Sequence, residues 1–142
     1  MIRIKRVTNE TEYYKVLGIR MEVFCKEQNV DFHKEVDGKE KEAIYYLLYK
    51  DGNPAGTCRY LKEKNYYLIG RLAILKDYRK QNLGSKLIQR VIKDILKQDK
   101  KTTIELHAQL DKVEFYKKNG FEPFGTTFIE ANIDHIGMRY KK

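Results

Sequence analysis

Residues 77–87, DYRKQNLGSKL, place two cations (Arg79, Lys80), two amides (Gln81, Asn82) and a glycine (Gly84) directly ahead of an apolar helical pattern. The first turn of a helix presents backbone N–H groups without intrahelical acceptors, and the helix dipole adds partial positive charge there. That combination holds anions, phosphates above all. Gly84 removes a side chain where a ligand would approach the backbone, and Leu83 and Ser85 add further N–H groups. A basic helix start that only solvates the surface is the competing reading of the same residues. The GxxxxGK[ST] spacing of a P-loop is absent, and one glycine is too few for a dinucleotide fingerprint.

Charge is segregated along the chain. Nine Lys/Arg face three Asp across residues 76–101, within a net charge of +9 for all 142 residues, which points to an anionic partner. Residues 22–42 instead gather acids, Glu27, Glu35 and Asp37 among them. With 42% apolar and 35% charged residues, the composition is that of one globular domain spanning 1–142. The longest uncharged runs are seven residues, against the roughly 20 that a membrane helix needs. The N-terminus alternates apolar and charged residues and lacks the apolar stretch of a secretion signal. Cys25 and Cys58 have no metal-ligand or disulfide spacing and read as reduced thiols of a cytoplasmic protein. No metal site is expected.

Those residues need a strand before them and a helix after them. Residues 2–7 alternate as a strand. A helix follows, with Asn9 as cap, Glu12 three residues on as in a capping box, and Tyr13, Val16, Leu17, Met21 and Phe24 on one face. Residues 43–62 read as a hairpin around DGNPAG, and 66–75 as an apolar strand buried on both sides. Leu83, Leu87, Ile88, Val91, Ile92, Ile95 and Leu96 form the stripe of the clearest helix. A strand at 102–108, a short helix ended by Asn119 and Gly120, and two closing strands complete a mixed α/β sheet.

LAILKDYRKQNLGSKLI resembles the cofactor motif of the GNAT acetyltransferase superfamily, a strand followed by R/Q-x-x-G-x-G/A. Arg79 and Gly84 hold the outer positions, and Asn82 replaces the middle glycine. Asparagine tolerates left-handed backbone. FYKKNGF (115–121) is similar to a second motif of the superfamily. Residues 20–38 and 128–138 resemble its ElaA-type branch, so the likeness covers nearly the whole chain. It implies a mostly antiparallel seven-stranded sheet with helices on both faces and splayed fourth and fifth strands. Acetyl-CoA would sit in the gap as cosubstrate, its pantetheine arm on the backbone of Leu72, Ala73 and Ile74. Its pyrophosphate would lie on the loop of Arg79, Lys80, Gln81, Asn82, Leu83, Gly84 and Ser85.

The same resemblance makes Tyr116 the general acid, puts Gln109 beside the pantetheine arm, and places Glu27, Gln28, Glu35 and Asp37 around the acceptor. Carboxylates there would suit a small cationic amine. A core tyrosine and a structural glutamine are the alternatives at Tyr116 and Gln109. The proton acceptor is open among Glu27, Glu35, Asp37, Glu130, His107 and His135. Histidine has the ordinary pKa nearest neutrality, which singles out His135, although a packed histidine fits its place in IDHIGM equally. The expectation is an N-acetyltransferase acting on a small-molecule amine in a ternary complex, as monomer or homodimer, without nucleic acid or membrane. A basic nucleic-acid-binding domain, or an acetyl-CoA-binding fold without transfer, are the alternatives.

Overall fold

Alternation at the N-terminus becomes β1 (Ile2–Arg6), and the chain then winds into α1 (Glu10–Arg20). The structure, a computed structural model, describes residues 1–142. Asn9 accepts the Glu12 N–H at 2.9 Å as expected. The Glu12 carboxylate, however, accepts from Thr8, one residue earlier than a capping box requires. A π-turn over Met21–Glu27 continues the helix, and α2 (Phe32–Glu35) is a single turn capped by Asp31. β2 (Ile44–Lys50), β3 (Asn53–Lys62), β4 (Tyr66–Ile74), α3 (Leu83–Gln98), β5 (Thr103–Gln109), α4 (Val113–Lys118), β6 (Phe121–Glu130) and β7 (Ile133–Tyr140) follow.

The seven strands form one sheet in the order β1-β2-β3-β4-β5-β7-β6. Only β4 and β5 pair in parallel. Tyr46 and Leu48 of β2 belong to the core under α3, whereas Tyr45 and Leu47 belong to the core under α1. Alternate residues of a strand point to opposite faces, so helices cover both faces. The mixed, mostly antiparallel sheet with helices on both faces is the one the resemblance implied.

The expected stripe on the first helix is displaced. Val16, Ile19, Arg20 and Val23 are buried, while Leu17, Met21 and Phe24 are only partly covered. Glu12, Val16, Ile19, Arg20 and Val23 recur at regular helical spacing, so the covered face is rotated from the expected stripe, and a charged side chain occupies the core side at Arg20.

β4 and β5 stay paired only from Tyr66↔Thr103 to Ile69↔Leu106. Beyond that point β4 runs on to Ile74 and β5 to Gln109 without a shared ladder, and the sheet forks. A bulge helps to turn β4 away. Thr57 pairs with Ala73 but Arg59 with Gly70, and Arg71, in the extra length, has φ +52. β4 was expected to be buried on both sides. Leu68, Leu72 and Ile74 are instead half-exposed, because they face the cleft this fork opens. No helix is long and apolar enough to cross a membrane.

Candidate active site

The fork opens into a cavity of about 1100 Å³. Every expected site residue except Gln81 lines it; Gln81 is exposed on the outside of its loop.

One wall is built for an anionic, amide-bearing ligand. α3 starts at Leu83 with no side-chain cap and no acidic residue in its first turn. The N–H groups of Leu83, Gly84 and Ser85 therefore lack intrahelical acceptors. Asn82 takes φ +64, the left-handed backbone that a glycine would otherwise supply, and Lys80 takes φ +65. Beside this terminus, β4 from Gly70 through Ile74 pairs with β3 on one side and with no strand on the other. Such an edge can add an extended amide chain by backbone hydrogen bonds. These residues fit the phosphate and pantetheine parts of a coenzyme A thioester.

Gly84 also has a packing role that the sequence reading did not include. A Cβ there would lie 3.2 Å from the Phe115 ring and 3.8 Å from Ile74. The missing side chain makes room for α4 against α3. Asn119 ties the same two helices, donating to the Ser85 Oγ at 3.1 Å and accepting from Gln89. From sequence it read only as a helix stop.

Tyr116 projects from α4 into the cavity. Its hydroxyl has no hydrogen-bond partner in the protein, and burial followed by the Cys58 thiol pushes its pKa well above the usual tyrosine range. It stays protonated at neutral pH and free to donate. Gln109, at the end of β5, donates from Nε2 to Gln28 Oε1 at 2.9 Å, so these two expected contacts bridge the cleft. Lys34 reaches Asn132 at 3.4 Å on the β6–β7 turn. Residues 28–34 thus span the opening.

The acids expected to form a free carboxylate surface are committed elsewhere. Glu35, 2% exposed, accepts from Arg20 Nε at 2.6 Å and from Arg71 Nε at 3.2 Å. Arg20 has no exposed surface and also reaches Glu40 at 3.1 Å and the Tyr45 hydroxyl at 2.9 Å. Asp37 pairs with the buried Arg59 and, at 3.4 Å, with Arg71. Three arginines therefore neutralise Glu35, Asp37 and Glu40. The segregation of charge along the chain is also bridged in space at Glu27. Its carboxylate takes both Nη atoms of Arg79, at 2.5 and 2.7 Å, while Arg79 Nε donates to the Ile74 carbonyl. The Arg79 hydrogen bond holds the Glu27 carboxyl below its usual range.

His135 is 7% exposed, with Nδ1 donating to the Ile133 carbonyl at 2.7 Å. Its Nε2 faces Glu130 at 3.8 Å, and the other Glu130 oxygen lies 3.0 Å from His107 Nδ1. Of the residues named as proton acceptors, only these three share one wall without an arginine partner.

The family model described as acetyltransferase (GNAT) domain matches residues 7–142. Bacillus subtilis (strain 168) YyaT is 34% identical over 140 residues, which cover 96% of this chain and 94% of that protein. Escherichia coli (strain K12) ElaA is 26% identical over 133 residues, covering 90% and 86%. The crystal structure of an acyl-CoA N-acyltransferase from Pseudomonas aeruginosa superposes with a TM-score of 0.89 at 27% identity, over 99% of this chain and all of that one.

Proposed function

The chain belongs to the acetyltransferase (GNAT) domain family, and on that premise we propose that it moves an acetyl group from acetyl-CoA directly to the primary amine of a small, cationic acceptor. Acetyl-CoA, the cosubstrate, supplies the acetyl group as a thioester. What supports direct transfer is continuity. The uncapped start of α3, the unpaired edge of β4, Tyr116 and the histidine wall all line one cavity, so donor and acceptor can meet without a covalent enzyme intermediate.

In this reading Leu83, Gly84 and Ser85 bind the pyrophosphate through N–H groups, with Lys80 adding charge. Leu72, Ala73 and Ile74 hold the pantetheine arm by backbone, and Gln109 borders it. The Tyr116 hydroxyl gives its proton to the departing thiolate. The wall carrying His135 receives the proton that the amine loses. Glu130, with no arginine hydrogen-bonded to it, is the carboxylate that favours an ammonium group in the cleft. Two free cysteines, one of them fully buried, support a reducing cytoplasmic setting.

The test is release of free CoA thiol from acetyl-CoA with putrescine, spermidine, glucosamine and a lysine-containing peptide. At least one amine should turn over, and acetyl-CoA should bind with micromolar affinity, about −8 kcal/mol. Tyr116→Phe should lower kcat about 100-fold with acetyl-CoA affinity unchanged by calorimetry. Turnover within threefold of wild type would remove the hydroxyl from the chemistry. Binding of acetyl-CoA with no thiol released by any amine would establish the non-transferring reading instead.

A further inference from the structure

Ile69↔Leu106 is the last pair before the sheet forks, so His107 is the first residue of β5 beyond it. Leu106 and Ala108 lie in the core under α3, and alternation turns His107 to the opposite face, where residues 28–34 cross the cleft. The ring is 41% exposed and lines the cavity. Its Nδ1 lies 3.0 Å from Glu130 Oε1. An ionised carboxylate only accepts, so Nδ1 carries the hydrogen and the neutral ring keeps its lone pair on Nε2. The hydrogen bond from His107 holds the Glu130 carboxyl below its usual range.

His135 is arranged differently. Its Nδ1 donates to Ile133, its ring is buried, and its Nε2 points at the second Glu130 oxygen rather than into open space. Phe128 stacks on His135 at 5.9 Å and meets His107 edge-on at 5.1 Å, so one phenyl ring fixes both imidazoles. Glu130 is thereby bracketed, one oxygen bound to His107 and the other beside His135.

We propose, resting on the acetyl-transfer reading, that His107 rather than His135 is the catalytic base, taking the amine proton at Nε2, and that Glu130 is the positioning residue that orients it. The lone pair of the amine nitrogen forms the N–C bond to the acetyl carbon, and the C–S bond breaks. The amine's proton moves to His107 Nε2, and the thiolate takes the Tyr116 proton. His107 later returns its proton to solvent, and Tyr116 recovers one. The transient imidazolium carries its charge beside the Glu130 carboxylate, which lowers the energy of that state. Other charged groups face the pair. Glu105 and Arg139 form an ion pair on the same face of β5 and β7, Arg71 approaches from β4, and Lys34 sits at the β6–β7 turn.

The experiment has two arms on the full chain. In the first, imidazole NMR of the free protein should show the Nδ1–H tautomer at His107, and Glu130→Ala, which removes the acceptor, should abolish that preference. An Nε2–H tautomer, or a tautomer preference that Glu130→Ala leaves in place, overturns the proposal. In the second, kcat and kcat/KM are followed from pH 5.5 to 9 with acetyl-CoA and whichever panel amine releases thiol fastest. His107→Gln should lower kcat about 100-fold and erase the acid limb of the profile, with acetyl-CoA affinity and Tm unchanged. Glu130→Gln should lower kcat more than it raises KM for the amine, and Glu130→Asp should restore part of the loss. His135→Gln should leave the limb in place. A His107→Gln enzyme within threefold of wild type, or a limb erased by His135→Gln alone, overturns the assignment. Failure of the wild type on every amine would instead strike at the transferase reading, with the NMR arm still deciding the dyad.

Discussion

Glu35→Gln separates a structural from an acceptor-binding role for the acids after α1. The substitution keeps the size of the side chain and removes its charge. Arg20, with no exposed surface, would retain the Glu35 backbone carbonyl at 2.9 Å, Glu40 at 3.1 Å and the Tyr45 hydroxyl, but lose its 2.6 Å charged partner. Arg71 would retain the same carbonyl and Asp37. Breaking a buried ion pair from one side costs about 3–5 kcal/mol. Glu40 remains as partial compensation, so about 3 kcal/mol is expected, which lowers Tm by about 10 °C in a domain of this size. Asp37→Asn should cost about half as much, because Asp37 is 25% exposed and its partner Arg59 keeps the Tyr45 hydroxyl. The assay is thermal unfolding at pH 7, with KM measured at 15 °C where both variants stay folded. A Tm within 2 °C of wild type together with a tenfold rise in KM for a cationic amine would refute this reasoning and return Glu35 to the acceptor.

Three further outcomes are expected. Gly120→Ala should destabilise by about 1–3 kcal/mol in urea titrations, because φ is +96° there and a Cβ would lie 2.8 Å from the Tyr140 ring. Lys5 and the Thr8 N–H hold the Glu12 carboxyl at about 2 against its ordinary 4.5. Its contribution is therefore complete above about pH 4.5 and disappears as pH falls to 2, and Glu12→Gln should flatten that part of the Tm–pH curve. Glu27→Gln should tighten acetyl-CoA binding about threefold by calorimetry, since it removes a negative charge and releases Arg79 towards the cofactor; unchanged affinity would make Arg79 a purely structural clamp.

What was legible in the sequence was local. Asn82 could be read as a left-handed residue because it stands where the resembled motif has its middle glycine, and it has φ +64. The stripe from Leu83 to Leu96 follows one regular helix and is buried except at Leu96, which is partly covered. What was not legible depends on residues far apart in the chain. Arg20 looks like a surface cation until Glu35, Glu40 and Tyr45 are brought around it. Counting charges by segment makes residues 22–42 acidic and 76–101 basic, but folding puts Glu27 of the first against Arg79 of the second. The packing of Gly84 against Phe115, 31 residues on, has no local signal either. The histidine wall escaped resolution for the same reason, since His107, Glu130 and His135 lie on three different strands.

The half-finished ladder along Gly70–Ile74 has a consequence for the life of the protein in a cell. Five residues in the middle of a sheet lack a neighbour on one side, so the unliganded chain carries an internal frayed seam, and local opening should start there. A bound thioester would act as a missing strand. We expect amide exchange at 70–74 to slow on adding acetyl-CoA, and proteolysis of the apoprotein to be faster than that of the loaded form. The abundance of the protein would then follow the supply of acyl donor: a starved cell would clear the enzyme it cannot use, with the fork in the sheet as the sensor.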